Sequence, residues 1–285
     1  MSLVYLNGQY QPIDEAKVSV MDRGFLFGDG IYEVVPVYGR NPFRLAEHLQ
    51  RLDRSLAQVR IANSHSADQW AELIAPIIAD EQSDDQSIYI QVTRGAAPVR
   101  NHAFPKESVP TVFIMGEPLK VPDANLKAQG VAAVSAADNR WLRCDIKSIS
   151  LLANCLLRQQ AVDAGCAETV MFRDGILTEG AAANIFVVKK GLLLAPQKNH
   201  LMLPGITYDV VLELAEKHRL AYQVRDITDA EVRDADELWL CSSTREVLPI
   251  VTLDGRPIAD GKPGPIYRSM DNWYQQFKSE VRHGR

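Results

Sequence analysis

The residue best suited to covalent chemistry in this 285-residue chain is Lys147, within the stretch NRWLRCDIKSISLLAN from Asn139 to Asn154. An ammonium set among Trp141, Leu142, Ile146, Ile149 and Leu151 loses hydration, and lost hydration favours the neutral amine that can attack a carbonyl. Most lysines are solvated stems, so Lys147 points to chemistry only in company. Leu203-Pro204-Gly205-Ile206-Thr207 stands just before a helix, where free backbone N–H groups and the positive helix end suit a phosphate. An ordinary threonine N-cap fits the same residues. Cys241-Ser242-Ser243-Thr244 offers hydroxyls directly after a strand, for a phosphate or for a turn. Glu179, in Thr178-Glu179-Gly180-Ala181-Ala182-Ala183-Asn184, needs a partner if it is buried; a surface turn is the alternative.

With Arg51, Tyr32, Arg100 and His102, these pieces cohere around a phosphorylated aldehyde that carries a basic ring nitrogen. Pyridoxal 5'-phosphate is such a ligand. It needs an amine for the aldehyde, donors for the phosphate, and a carboxylate that keeps the pyridine nitrogen protonated so that the ring can absorb an electron pair. No residue set is assigned to a metal.

The elements that must position these groups follow from pattern. Asn7-Gly8 marks a tight hairpin. Asp22 to Gly30 is too rich in glycine for a regular element, and Ile31 to Tyr38 alternates as a strand. Leu45, Leu49, Leu52, Leu56 and Val59 share one helix face, and a second helix starts at Ser66 with Gln69 at capping-box spacing. Strands at Ile88 to Arg94 and Thr111 to Gly116 flank a long connection holding Arg100 and His102, and long ordered loops in compact domains are often functional. Glu117 to Asn125, with Pro118 and Pro122, is the best linker. Residues 1–118 are therefore expected to form one α/β domain, 119–124 a linker and 125–285 a second α/β domain that binds the cofactor. In the second half, a helix is expected from Ile149 to Ala164 and another from Thr207 to His218.

With 31 basic against 36 acidic residues, net charge −5 and no run of like charges, nucleic acid and anionic membrane are poor partners. The four cysteines show no CxxC pair and read as reduced core thiols of a cytoplasmic protein. Neither an export signal nor a membrane span is expected.

DRGFLFGDGIYEVV, EHLQRL, QVTRG, RNHAFP, RWLRCDIKS, TEGAAANIF and LPGIT occur in the order and at the separations of the fold-type IV pyridoxal phosphate enzymes. Across nearly the whole chain the sequence resembles their D-amino acid aminotransferases most. The resemblance implies a two-domain α/β fold, a smaller N-terminal α/β sandwich and a larger barrel-like α/β domain, with the cofactor in the cleft between them. It makes Lys147 the Schiff-base lysine and proton carrier, and Glu179 the partner of the pyridine nitrogen. Arg51, the Ile206 and Thr207 amides and Ser243 would hold the phosphate. Tyr32 would flank the reacting carbon, and Arg100 and His102 would grip the substrate carboxylate across the interface of a homodimer with shared active sites. Arg140 would hold Glu179 ionised. The expected activity is transamination between a D-amino acid and a 2-oxo acid. A branched-chain L-amino acid aminotransferase and an aminodeoxychorismate lyase share the scaffold, and a catalytically silent binding dimer is a rival of another class. Two departures stand out: Ala181, Ala182 and Ala183 replace usual serines, and Tyr208 stands where arginine is common, which is expected to loosen support of the phosphate site.

Overall fold

The computed structural model describes residues 2–284, which form two compact units. One comprises the chain up to Leu119 together with Ile146–Leu151 and a C-terminal segment from Glu280; the other comprises Lys120–Asp145 and Leu152–Ser279. The lysine segment thus folds with the N-terminal unit, which a division at one linker does not provide for.

The first unit is built on a six-stranded sheet in the order Gln9–Pro12, Leu3–Leu6, Thr111–Pro118, Gln86–Thr93, Gly30–Tyr38, Asn41–Pro42, with every pair antiparallel. Its first hairpin turns at Asn7 and Gly8, both at positive φ, as a tight turn matched to strand twist requires. Helices Leu45–Gln58 and Ala67–Asp80 bring Leu49, Leu52, Leu56, Trp70, Ile74 and Ile77 into one core with Ile31, Val35, Ile88, Ile90 and Ile114. The capping box at Ser66 and Gln69 is present.

Two local expectations change. Asp22 to Gly30 is not irregular throughout: Arg23–Phe27 is a short helix, capped by the Asp22 side chain and ended by Gly28 at φ +66°. Glycine there stops the helix in the left-handed conformation rather than preventing it. The helix expected from Ile149 begins only at Leu152. The residues before it lie extended along strand Gly30–Tyr38, where the Tyr32 N–H donates to the Lys147 carbonyl at 2.9 Å and the Ile149 N–H to Gly30 at 3.0 Å.

The second unit holds a nine-stranded mixed sheet. Its main path runs Tyr222–Val224, Leu192–Ala195, Asn184–Lys189, Glu237–Ser242, Glu246–Leu253, Val131–Ala137, Glu168–Arg173, Ile176–Gly180. The edge strand Ile176–Gly180 passes to Asn184–Lys189, five places away in this order, through only Ala181 to Ala183. In a flat sheet five spacings would be about 24 Å, whereas four Cα steps reach at most about 15 Å. The sheet therefore curls, and the Gly180 N–H meets the Ala183 carbonyl at 2.6 Å. Its core includes Val170, Leu177, Ile185, Val187, Leu238, Leu240 and Ile250.

The cysteine reading needs one correction. All four are unpaired, but only Cys144 and Cys241 are buried, and Cys155 is exposed. Among the described residues, no helix is long and apolar enough to cross a membrane.

Candidate active site

In the first unit, the bridge between Ile31 and Ser148 brings Lys147 beside Tyr32. The Lys147 Nζ lies 4.2 Å from the centroid of the Tyr32 ring, an arrangement that favours a cation through the ring quadrupole. The apolar envelope expected around this amine is only partly present. Ile146 is buried, but Trp141 and Leu142 are 50% and 60% exposed.

Adjacent on the same strand, Glu33 is fully buried and receives Arg51 through two N–H groups, each at 2.7 Å, and His48 Nδ1 at 2.8 Å. Burial pushes the Glu33 carboxyl up, but the Arg51 guanidinium, helped by His48, outweighs it and holds the carboxyl well below the usual range. Burial lowers the His48 pKa, only partly opposed by Glu33, and the charges of Arg51 and Lys147 lower it further. The His48 Nε2 is buried with no hydrogen-bond partner. A buried polar atom without a partner is costly, so this edge of the site is suited to a ligand with a polar group. Arg51, expected to hold phosphate, thus has its fork engaged by Glu33.

Arg100 and His102 are both exposed, on the connection after Gln86–Thr93. They meet at Phe27: the Arg100 guanidinium lies 4.9 Å from that ring's centroid, and the His102 ring 5.3 Å from it.

In the second unit, Glu179 ends strand Ile176–Gly180 and is buried, not a surface turn. Arg140 donates to its Oε1 at 2.5 Å, while Asn184 Nδ2 and the Leu203 N–H donate to Oε2, each at 3.2 Å. A carboxylate has about four acceptor sites, so one stays open for a further N–H, as a protonated pyridine requires. Burial pushes the Glu179 carboxyl up to about 7 despite Arg140. The Asp138 charge adds to the rise, and Arg140 is divided between the two carboxylates. Its Nε and one terminal nitrogen grip Asp138, each at 2.9 Å, and Asp138 also pairs with Arg173 at 3.0 Å. Arg140 thus touches Glu179, but burial outweighs its pull on the carboxyl.

Helix Ile206–Lys217 begins at Gly205, and no side chain caps it. Thr207 is therefore inside the helix and not its N-cap. The first N–H groups lack intrahelical acceptors and remain available to an anion. A Cβ on Gly205 would fall 2.1 Å from Asn184 Oδ1, so glycine lets this helix end approach the residue that also holds Glu179. Asp209, in the same first turn, is paired with Lys198. Ser243 lies half-buried in the turn between Glu237–Ser242 and Glu246–Leu253.

The two departures have structural answers. Ala181 is fixed by its backbone, its N–H meeting Glu168 Oε1 and the Thr169 carbonyl, both at 3.0 Å, so the loop is held without serine hydroxyls. Tyr208 is fully buried, stacked on Phe186 at 5.0 Å, and donates to the Pro196 carbonyl at 2.8 Å. It anchors the helix in the core.

Sequence reasoning passed over Glu33, His48, Asp138 and Asn184. Glu33 and Asn184 lie inside the quoted stretches DRGFLFGDGIYEVV and TEGAAANIF, and Glu33 is a charge within an otherwise apolar strand. His48 lies inside the quoted EHLQRL, beside Arg51, and Asp138 gave no signal beyond its proximity to Arg140.

A family model described as class IV amino-transferase matches residues 30–253. The D-alanine aminotransferase of Bacillus licheniformis is 38% identical over 95% of this chain and 95% of its own. That of Staphylococcus aureus (strain MW2) is 37% identical over 97% and 98%. Among solved structures, the T.th. branched-chain amino acid aminotransferase with pyridoxamine 5'-phosphate superposes with a TM-score of 0.90 at 24% identity, covering 100% of this chain and 95% of that one. The branched-chain amino acid aminotransferase from Escherichia coli gives 0.86 at 25%, covering 95% and 92%. A chain matched by the family model over most of its length, and by relatives above a third identical from end to end, belongs to the class IV aminotransferases.

Proposed function

We propose that this chain is a pyridoxal phosphate-dependent transaminase that moves the amino group of a D-amino acid such as D-alanine to a 2-oxo acid such as 2-oxoglutarate. The observation that carries the reading is the 36–38% identity to D-alanine aminotransferases over at least 95% of the chain. The solved branched-chain enzymes, at 24–25%, share the fold without deciding the substrate.

Bound pyridoxal 5'-phosphate supplies the aldehyde and the ring that takes up the electron pair released at the substrate α-carbon. Lys147 Nζ would take the proton from the α-carbon of the donor in the first half-reaction and give one to the α-carbon of the acceptor in the second, with the Tyr32 ring flanking it. Glu179 accepts the ring N–H at its open site and keeps that nitrogen protonated. The uncapped N–H groups of Ile206 and Thr207, with Ser243, would hold the phosphate, and Arg51 would add its positive charge while staying paired with Glu33. Arg100 and His102 bind the substrate carboxylate. Water would supply the keto oxygen as the first amino acid leaves as its 2-oxo acid, and would be released again as the second 2-oxo acid takes up the amino group and leaves as an amino acid.

The working form is a homodimer in the cytoplasm. Exposure of Arg100 and His102, and of Val18, Val20, Phe25 and Val99 in the same unit, supports an interface on that unit, and four unpaired cysteines suit a reducing compartment. Sedimentation of the holoenzyme checks the first point.

D-alanine and L-leucine are to be offered separately with 2-oxoglutarate, and the enantiomer of the glutamate product followed. D-alanine is expected to turn over faster and to yield D-glutamate; faster turnover of L-leucine would overturn the assignment. Lys147→Ala should abolish nearly all turnover, and undiminished activity in that variant would remove the mechanism.

A further inference from the structure

The connection that carries Arg100 and His102 lacks backbone support of its own. Among the described residues, no backbone–backbone hydrogen bond involves residues 98–109. Within it the Ala103 N–H donates to Asn101 Oδ1 at 3.1 Å and the Phe104 ring lies 3.6 Å from the Arg94 guanidinium, but the carbonyls at its centre are gathered by one side chain. Arg23, 3% exposed in the short helix Arg23–Phe27, donates to the Asn101 carbonyl at 2.5 Å, to that of His102 at 3.1 Å and, more weakly, to that of Ala103 at 3.4 Å. Its Nε is held at 2.7 Å by Asp29. Asp29 in turn takes both arms of Arg94, at 2.8 and 2.9 Å, and Arg94 donates to the Val59 and Arg60 carbonyls. The anchor is therefore rooted in the sheet and in the end of a core helix. The same guanidinium lies 4.8 Å from the Phe27 centroid, the ring on which Arg100 and His102 also rest.

We propose that Arg23, with Phe27 beside it, is a positioning residue for substrate recognition: its fork fixes the turn at residues 101–103 and so sets where the Arg100 and His102 side chains meet a carboxylate. The inference rests on the reading that Arg100 and His102 grip the substrate carboxylate. Arginine is suited to the task because its planar fork spans several carbonyls while a remaining N–H faces Asp29, and lysine cannot reproduce that. Arg23 touches neither substrate nor cofactor, so its effect should appear wherever a carboxylate is recognised and nowhere else.

The test uses holoenzyme carrying Arg23→Lys, Arg23→Gln, Phe27→Leu or, as reference, Arg100→Ala. Four quantities are read: the Kd of propanoate, an unreactive carboxylate, by calorimetry; KM and kcat for D-alanine; and the rate with a primary amine that has no carboxylate. Arg23→Lys keeps a charge beside Asp29, and should raise the propanoate Kd and the D-alanine KM by about tenfold or more, since misplacement by about an ångström costs up to a hundredfold. The kcat should change less than KM, and cofactor absorbance and the rate with the amine should be unchanged. An unaltered propanoate Kd in Arg23→Lys, with a raised one in Arg100→Ala, overturns the positioning role alone. An unaltered Kd in Arg100→Ala overturns the carboxylate reading and this inference with it. If the Arg23 variants do not fold, Phe27→Leu decides: it leaves the Asp29 pairs intact, and an unchanged Kd there refutes the seat.

Discussion

Two buried carboxylates, each paired with an arginine, behave in opposite ways. Glu33 and Glu179 both lie on strands, both are almost inaccessible to water, and both have a guanidinium within 2.7 Å. Yet the Glu33 carboxyl is held well below its usual range and that of Glu179 is pushed up to about 7. Burial acts upward on both, so the difference lies in the partners. Glu33 takes both arms of Arg51 and adds His48. Glu179 receives one N–H of an arginine whose other nitrogens serve Asp138 and the Leu201 carbonyl. A shared guanidinium leaves a buried carboxylate short of positive charge. That shortage is useful where a cationic ring nitrogen is to be recruited, and harmful where an anion must stay put.

Breaking the stronger pair should have the largest effect. Arg51→Met removes the main counter-charge of Glu33, and stranding a buried charge costs about 3–5 kcal/mol. Urea unfolding of the apo-protein measures it. A loss under about 1 kcal/mol, the worth of an exposed pair, would mean that the Glu33 cluster is not the closed ion pair described.

The weaker site should reveal itself in pH dependence. A glutamate with a folded pKa of about 7, against 4.5 in solvent, keeps its proton in the folded state after the unfolded chain has released its own. Its contribution to stability is complete below about pH 4.5 and is lost as pH rises to about 7, a change of up to about 3 kcal/mol. Glu33 has the opposite sign: its contribution is present above the usual carboxylate range and is lost as pH falls below it. Glu179→Gln should remove the decline between pH 4.5 and 7 from the apo-protein, and adding cofactor to the wild type should flatten it, because a ring N–H lowers the pKa of the carboxyl. The same variant should retain cofactor and turn over about a hundredfold more slowly, the scale of losing one electrostatic stabiliser. Identical pH profiles of wild type and variant would refute the raised pKa.

How much of this was readable in advance depends on the range of the interaction. The hairpin at Asn7-Gly8, the helix faced by Leu45, Leu49 and Leu52, and the capping box at Ser66 are local, so residue spacing reports them. Lys147 and Glu179 stood out by ordered motifs. The pairing of Glu33 with Arg51 joins residues 18 apart on a strand and a helix, and no periodicity encodes which charge on one meets which on the other. Nor could pattern show that Arg140 is divided between Asp138 and Glu179, which sets how strongly each is held. The Arg23–Phe27 helix was missed because Gly24 and Gly28 count against helix in any average, although one of them is the stop.

The smallest effect sharpens the comparison most, because it separates tether from tuning. Asn184 donates to Glu179 at 3.2 Å and to the Leu203 carbonyl at 3.0 Å. Asn184→Ala should cost about 1.5 kcal/mol, in the range of one hydrogen bond to a charged group or one buried acceptor left unpaired. The two contributions differ in pH dependence. Loss of the bond to Leu203 costs the same at every pH, whereas loss of the donor to Glu179 disfavours only the ionised carboxyl and raises its pKa further above 7. The destabilisation by Asn184→Ala should therefore be larger at pH 8 than at pH 5, and the decline in stability should extend to higher pH than in the wild type. Unfolding curves of the two apo-proteins at both pH values decide it. An equal cost at both would make Asn184 a backbone tether for the Leu203–Gly205 approach, and would leave the sharing of Arg140 as what keeps Glu179 weakly held.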